Sequence, residues 1–257
     1  AMGAEPMDAY VCVAVPGRLN VEDMEEFYRG LREMAREHGV NILGGDTTRS
    51  NGPLVINVAL TGCAPKEQVL LRSGAAPGDL LYVTGTLGDA GAGLDLLKRG
   101  GDWPGQWGDP LLRAHLDPRP HLLEGLFLAQ HGFATSMMDL SDGLASDLRH
   151  ICKRSQVGAI VREDAIPISG QLRRYAEWFG LEPLALALGS GEDYCLLLTV
   201  PPQRAKEMEE AFLERFGRPI RPIGEITQEP EILLGTGDGN LMPLPMGGWD
   251  SFASESP

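Results

Sequence analysis

Short apolar segments rich in β-branched residues alternate with longer amphipathic segments along the chain, and this alternation restricts the fold more than any other feature. Residues 53–61 (PLVINVALT) have the composition of a strand. Over residues 20–38 the apolar side chains instead recur at helical spacing, with Asn20 placed to cap the start and Gly39 following the end. The mixture predicts an α/β or α+β chain and not an all-α or all-β one.

A stretch punctuated by glycine and proline, RSGAAPGD at residues 72–79, is the strongest candidate for a domain boundary. We therefore predict an N-terminal unit over residues 1–72 and a C-terminal α/β unit over residues 73–257. The predicted strands lie at residues 40–43, 53–61, 80–84, 135–140, 157–162 and 194–200. The predicted helices lie at residues 20–38, 90–98, 121–130, 144–155 and 205–216.

The composition argues against some classes of partner. The formal net charge of −14 argues against nucleic acid and anionic membranes, because a phosphate backbone attracts lysine and arginine. A nucleotide remains compatible, since divalent cations can lie between carboxylates and phosphates. The four cysteines form no C-x-x-C pair and are expected to be reduced and mostly buried in a cytoplasmic protein. No apolar run approaches the ~20 residues of a membrane span.

Two aspartates follow a predicted strand in the segment MMDLSDGL. Asp139 and Asp142 repel each other unless something positive lies between them. The helix expected to begin near Gly143 directs backbone N–H groups into the same space, so this place could hold a phosphate on the helix end and Mg²⁺ on the acids. The alternative is a plain cap, with Ser141 or Asp142 as the N-cap residue and Asp139 in a turn. Two acids favour the ligand-binding interpretation.

Two other segments place acids beside glycines. In LGGDTTRS a strand is expected to enter a Gly44–Gly45 turn ahead of Asp46, where a ligand could approach the main chain and Mg²⁺ could find oxygen ligands. An ordinary turn explains the pattern equally well. In LGSGEDYCLLLTVP, Glu192 and Asp193 precede an apolar strand, where they could bind a substrate or shape a turn with a solvated aspartate.

Phosphate-binding loops of the common kinds are absent from the sequence. There is no G-x-x-x-x-G-K-[ST], and VTGTLGDAGAGL lacks the G-x-G-x-x-G spacing, so we interpret it as a tight strand-to-helix connection. Arg72 could instead hold a phosphate with its guanidinium group, and Trp249 in GGWDSF could stack on a flat or cationic ligand. A solvated surface arginine and an aromatic anchor for the chain end are the alternatives.

Together, several segments resemble the thiamine-monophosphate kinases, which belong to the superfamily of aminoimidazole ribonucleotide synthetase-like ATP-using enzymes. The segments are AMGAEP, GGDTTRS, RSGAAPGDLLYVTGTLGDAGAGL, MMDLSDGLASDLRHI, GSGEDYCLLLTVP and GGWDSF, and the resemblance is collinear from Ala1 to Phe252. It implies a mixed α/β fold of two units. Members of the family carry an earlier segment with Gly-Asp-Asp and Ser-Asp, which supplies further metal ligands, so we expect the N-terminal unit to be incomplete in this sequence.

The resemblance also implies a function and a set of site residues. The implied reaction is ATP-dependent phosphorylation of thiamine monophosphate to thiamine diphosphate by direct in-line transfer, with several Mg²⁺ ions, in a homodimer joined through the N-terminal units. No side chain is needed as a nucleophile, because the substrate's own phosphate oxygen attacks. The implied metal ligands are Asp46, Asp139 and Asp142. The implied nucleotide contacts are Tyr28, Gly45, Arg72 and Ser141. The implied thiamine-side residues are Glu192 and Trp249.

Two alternatives remain open. The chain could be another ATP-using enzyme of the superfamily, of the hydrogenase-maturation or selenophosphate synthetase type. It could also be an inactive module that binds Mg-nucleotide without turnover, if the N-terminal metal ligands are absent.

Overall fold

The computed structural model describes residues 1–245 and 247–248. Internal contacts divide the chain into two units. The small unit comprises Ala4–Glu67, and the large unit comprises Ala1–Gly3 together with the chain from Gln68 onward.

The small unit is built from three strands and one helix. These are β1 (Glu5–Pro16), α1 (Val21–Glu37), β2 (Asn41–Ser50) and β3 (Val55–Cys63). The sheet order is β2-β1-β3, with β1 parallel to β2 and antiparallel to β3. The predicted helix and its cap are confirmed: the Asn20 side chain accepts from the Asp23 amide at 2.8 Å, and the Asp23 carboxylate accepts from the Asn20 amide at 3.0 Å. This reciprocal pair satisfies two otherwise unpaired donors of the first turn.

The expected Gly-Gly turn before Asp46 is wrong, because β2 runs without interruption through both glycines. Gly45 lies opposite Val11 of β1 at a φ of 150°, and a Cβ on it would overlap the Val11 carbonyl oxygen. A glycine is therefore needed for the two strands to approach at this register. The sequence pattern of a turn here reflects a close strand-to-strand contact.

The small unit buries little apolar surface of its own. Its buried hydrophobic side chains, Ala9, Val11 and Val13, all lie on β1, whereas every residue of β3 is exposed and α1 buries none. The expectation of mostly buried cysteines is wrong for half of them, because Cys12 and Cys63 are exposed while Cys152 and Cys195 are buried. All four are free thiols.

The large unit contains a seven-stranded sheet with the order β10-β9-β6-β8-β4-β7-β5. Neighbouring strands are antiparallel except for β6 and β9. The strands are β4 (Leu80–Val83), β5 (Ser136–Asp139), β6 (Gly158–Arg162), β7 (Leu196–Val200), β8 (Pro222–Thr227), β9 (Ile232–Gly235) and β10 (Leu241–Pro243). The helices are α2 (Asp89–Arg99), α3 (Gly105–Leu116), α4 (Leu122–Gln130), α5 (Leu144–Ser155), α6 (Gly170–Phe179), α7 (Pro183–Gly189) and α8 (Pro202–Phe216).

The central strands are apolar on both faces because helices cover both faces. Leu81 and Leu197 pack with residues of α5, whereas Tyr82 and Leu198 pack on the other side with residues of α4 and α8. A third apolar cluster joins α2, α3 and α6. Strands buried on both faces read as continuous apolar runs, which is why β4, β5 and β7 were predicted correctly. Among the described residues, no helix is both long and apolar enough to cross a membrane.

Candidate functional site

The connection between β5 and α5 places two carboxylates at the start of a helix. β5 ends at Asp139 and α5 begins at Leu144, as predicted. The N-cap residue is Gly143, which has no side chain to cap the helix, so the plain-cap alternative with Ser141 or Asp142 is wrong. Within the described part of the chain, the carboxylates of Asp139 and Asp142 accept no hydrogen bond, and both are half-buried. They are therefore free to bind a ligand.

Asp147 shapes this connection from inside the helix. The residue is 1% exposed, and its carboxylate accepts from the amides of Ser141 and Asp142, each at 3.0 Å. Burial raises the pKa of Asp147, the two amides oppose this, and the nearby charges of Asp142 and Asp139 add to it. Asp147 was not among the site residues predicted from the sequence, although an aspartate in the first turn of a helix after an acidic loop was a usable signal.

The segment before β7 is attached to this connection by three backbone hydrogen bonds. Glu192 N donates to Ser141 O at 2.8 Å, Tyr194 N to Leu140 O at 2.9 Å, and Leu140 N to Cys195 O at 2.9 Å. Burial raises the pKa of the Tyr194 hydroxyl, and the charges of Glu192, Asp139 and Asp142 raise it further. The structure thus brings three of the predicted site residues, Asp139, Asp142 and Glu192, close enough to Tyr194 for their charges to act on the same hydroxyl.

Gly191 makes this attachment possible. It adopts a φ of 68°, and a Cβ on it would lie 2.5 Å from Ser141 O and 3.1 Å from the Cα of Asp142. We expect Gly191→Ala to push the two loops apart and to lower stability by about 1–3 kcal/mol, since the residue is both strained and crowded. Urea denaturation measures this loss. Gly180→Ala has a similar φ of 65° but open space around the new Cβ, so it isolates the cost of strain from the cost of the clash.

Asp193 is not the solvated turn residue that the sequence allowed. Both of its carboxylate oxygens lie 3.0 Å from the amide of Gly88, the left-handed N-cap residue of α2. Burial raises the pKa of Asp193 to about 7, and the neighbouring charge of Asp89 adds to this. The connection between β4 and α2 is the tight turn that was predicted, and Asp193 anchors it.

The raised pKa of Asp193 predicts how stability depends on pH. A folded-state pKa of about 7 lies above the ordinary carboxyl value, so the folded state keeps a proton that the unfolded state releases. The stabilisation that the protonated Asp193 gives the folded state is complete below about pH 4 and is lost as pH rises towards about 7. A pKa shift of this size is worth up to about 4 kcal/mol in the free energy of unfolding. We expect Asp193→Asn to remove this part of the pH dependence of the free energy of unfolding. Denaturation of both proteins at several pH values measures it, and equal slopes would contradict the assignment.

Arg72 and Asp139 line one cavity of about 410 Å³, which Met138 and Arg154 also border. The amide of Met137 donates to the carbonyl of Leu71 at 3.0 Å, and this bond holds the segment that contains Arg72 beside β5. An exposed guanidinium group therefore shares a concave surface with a carboxylate of the β5–α5 connection.

The remaining predicted site residues lie elsewhere. Tyr28 is on α1 and is half-buried, whereas Gly45 and Asp46 are exposed on β2, so all three belong to the small unit. Trp249 lies outside the described residues. Gly248, directly before it, packs closely on the β5–α5 connection, since a Cβ there would lie 2.9 Å from Asp142 O.

The fold corresponds to a known class of proteins. The family model for the N-terminal domain of AIR synthase related proteins matches residues 1–64, and the model for their C-terminal domain matches residues 76–235. E. coli HypE, a hydrogenase maturation protein, shares the fold with a TM-score of 0.80 at 22% identity, over 98% of this chain and 77% of that one. The two family-model matches together define an AIR synthase-related architecture.

Closer relatives identify the branch of this class. Thiamine-monophosphate kinase of Escherichia coli K12 is 38% identical over 257 residues, which is 99% of this chain and 76% of that protein. The solved structure of AaThiL complexed with AMPPCP and TMP is 31% identical with a TM-score of 0.86, over 98% of this chain and 75% of that one. The chain belongs to the thiamine-monophosphate kinase family, and it is accordingly an enzyme of the kinase class.

Proposed function

We propose that this chain transfers the γ-phosphoryl group of ATP directly to the phosphate of thiamine monophosphate, giving thiamine diphosphate and ADP. The observation that carries the proposal is the pair of carboxylates, Asp139 and Asp142, at the start of α5, which accept no hydrogen bond from any described residue. The similarity to AaThiL, whose structure holds AMPPCP and TMP, supports these two substrates. Phosphoryl transfer depends on positioning and charge stabilisation more than on covalent catalysis, and no nucleophilic side chain is required.

The phosphate groups have candidate partners on both sides of the β5–α5 connection. Among the described residues, the amides of Leu144 and Ala145 in the first turn of α5 have no hydrogen-bond acceptor, and they lie at the positive end of the helix dipole. They therefore suit an anion, with Ser141 beside them as the proposed nucleotide contact. Arg72 lines the cavity next to Asp139, and its guanidinium group suits a bidentate phosphate contact. We assign further nucleotide contacts to Tyr28 and Gly45 in the small unit.

Magnesium is part of the proposal, and the side chains of the large unit fit it. Asp139 and Asp142 accept no competing hydrogen bond from the described residues, whereas Asp147 is committed to two amides. Over residues 1–245 and 247–248 no group of three or more His, Cys, Asp or Glu side chains is placed to hold a metal. The proposal therefore depends on two carboxylates, and Mg²⁺ usually takes one or two and completes its coordination with water and substrate phosphates. Asp46 is a further proposed ligand, and bound Mg²⁺ would neutralise the phosphate charge.

The thiamine half of the substrate is assigned to Glu192 and Trp249. A carboxylate suits the cationic, donor-bearing thiamine moiety, and an aromatic ring can stack on it. Glu192 is half exposed beside the β5–α5 connection, so a substrate held there lies close to the proposed metal ligands.

A homodimer joined through the small units is also proposed. The exposed apolar residues of β1 and β3 include Tyr10, Val55, Ile56, Val58 and Leu60, and exposed apolar patches mark association surfaces. The unit predicted over residues 1–72 is proposed to contribute ATP and metal contacts, and the α/β unit predicted over residues 73–257 is proposed to contribute others, including Asp139 and Asp142. Light scattering of the purified chain tests the dimer.

A cytoplasmic location is proposed as well, because the cytoplasm keeps thiols such as these four reduced.

The proposed reaction is tested by supplying the purified chain with ATP, Mg²⁺ and thiamine monophosphate and separating thiamine phosphates by chromatography. We expect thiamine diphosphate and an equal amount of ADP, and both should disappear when EDTA removes the metal. Binding of Mg-ATP without product would contradict the proposal and favour the inactive module. ADP release that requires a different acceptor would favour another enzyme of the superfamily.

A further inference from the structure

His115 carries an unsatisfied buried nitrogen directly beside Glu192. The side chain of His115 is 18% exposed, and its Nδ1 lies 3.4 Å from Oε2 of Glu192. The geometry is not that of a hydrogen bond, and no described residue provides Nδ1 with another partner. Buried polar atoms without a partner are costly and uncommon in folded proteins. The atom therefore needs an explanation.

The position of His115 is fixed by close packing of two helices. His115 lies in the last turn of α3. A Cβ on Gly93 of α2 would overlap the Leu111 carbonyl oxygen and lie 3.0 Å from the Cβ of His115, so the absence of a side chain at residue 93 allows α3 to approach. Trp107 and Leu111 then anchor α3 in the apolar cluster shared with α2 and α6. The imidazole is consequently held on a rigid element.

Glu192 is held differently, because its backbone is fixed while its side chain is not. Its amide is bonded to Ser141 O and its φ is 59°, which fixes where the side chain leaves the loop. The carboxylate itself is 52% exposed, and His115 is its one ion-pair or hydrogen-bond neighbour among the described residues. A glutamate without a partner samples several rotamers, and fixing it in advance lowers the cost of binding a ligand.

We propose that His115 is a positioning residue, which donates a hydrogen bond from Nδ1 to Glu192 and holds that carboxylate towards the thiamine half of the substrate. The inference rests on the proposed function. A small rotation of the exposed carboxylate brings the 3.4 Å contact into hydrogen-bond geometry and satisfies the buried nitrogen. His115 does not itself touch the substrate.

The test compares two replacements that differ in whether they keep a hydrogen-bond donor. His115→Phe keeps a ring and removes the donor, whereas His115→Asn keeps a donor near the position of Nδ1. We expect His115→Phe to raise KM for thiamine monophosphate about tenfold, the cost of losing a hydrogen bond to a charged group, with kcat and KM for ATP changed less than about twofold. His115→Asn should retain KM within about threefold of the wild type.

A double-mutant cycle with Glu192→Ala, which removes the acceptor, separates positioning from a general structural effect. If His115 acts through Glu192, His115→Phe adds no further increase in KM on the Glu192→Ala background. An independent, multiplicative increase, or equal defects for thiamine monophosphate and ATP, would overturn the inference. If His115→Phe does not fold, the same cycle is run with His115→Leu, which also lacks a donor. Wild-type protein that makes no thiamine diphosphate would overturn the proposed function, whereas an active wild type with an unaffected His115→Phe variant would overturn this inference alone.

Discussion

Asp142→Asn is expected to reduce turnover by roughly 100-fold while the protein remains folded. Asparagine keeps the size of the side chain and the backbone amide that donates to Asp147, so the loop is preserved. It removes one of the two negative charges that the proposal gives to Mg²⁺. The defect should therefore appear as a higher Mg²⁺ requirement, measured by titrating the metal at saturating ATP.

A matched control separates this effect from a change of overall charge. Asp164 is an exposed aspartate of the large unit, and Asp164→Asn removes the same charge away from the β5–α5 connection. We expect that variant to keep the Mg²⁺ requirement of the wild type. An Asp142→Asn protein with the same Mg²⁺ dependence as Asp164→Asn would remove Asp142 from the site.

Asp147→Ala is expected to lower the free energy of unfolding by about 2–4 kcal/mol, because the amides of Ser141 and Asp142 lose a buried, charged acceptor. For a chain of this length the melting temperature should fall by about 10 °C. Activity should fall too, since these amides fix the loop that carries Asp139 and Asp142. Thermal and urea denaturation, together with the phosphorylation assay, measure both effects.

The conservative variant Asp147→Asn separates the contribution of the negative charge from that of the hydrogen bonds. Its amide oxygen can still accept from one or both backbone N–H groups without the charge, so we expect a loss of stability between those of the wild type and Asp147→Ala. Identical stability in all three proteins would show that the two 3.0 Å hydrogen bonds contribute nothing to the loop.

Elements that depend on local signals were predicted from the sequence. The capping residues around α1 and the apolar spacing of α5 lie within a few positions of the helices they define, and both helices were found with accurate bounds. The end of β5 at Asp139 was found for the same reason. By contrast, α3 was missed because the segment is broken by proline and glycine, which weaken a helical signal even though Trp107 and Leu111 anchor it in the core.

Features that depend on residues far apart in the chain were not predictable. The need for Gly45 arises from Val11 of the neighbouring strand, and a single sequence cannot distinguish that need from a turn. Asp193 acquires its role from the amide of Gly88, which is 105 positions away. The same limit applies to the site, whose acids were recognised as motifs. Their mutual arrangement through Asp147 and the Gly191 segment became visible only in the fold.

The hydrogen bonds between the β5–α5 connection and the segment before β7 have a consequence for changing what this enzyme accepts. Ser141 and Glu192 are joined through one backbone bond of 2.8 Å, so the two loops shift as a single piece. Substitutions that remodel the Glu192 loop for a bulkier or differently charged acceptor will also displace the loop that carries Asp139 and Asp142, the proposed metal ligands. Selection for a new acceptor should therefore be carried out with Mg²⁺ varied alongside it, and gains are expected from side-chain changes that leave the backbone of both loops in place.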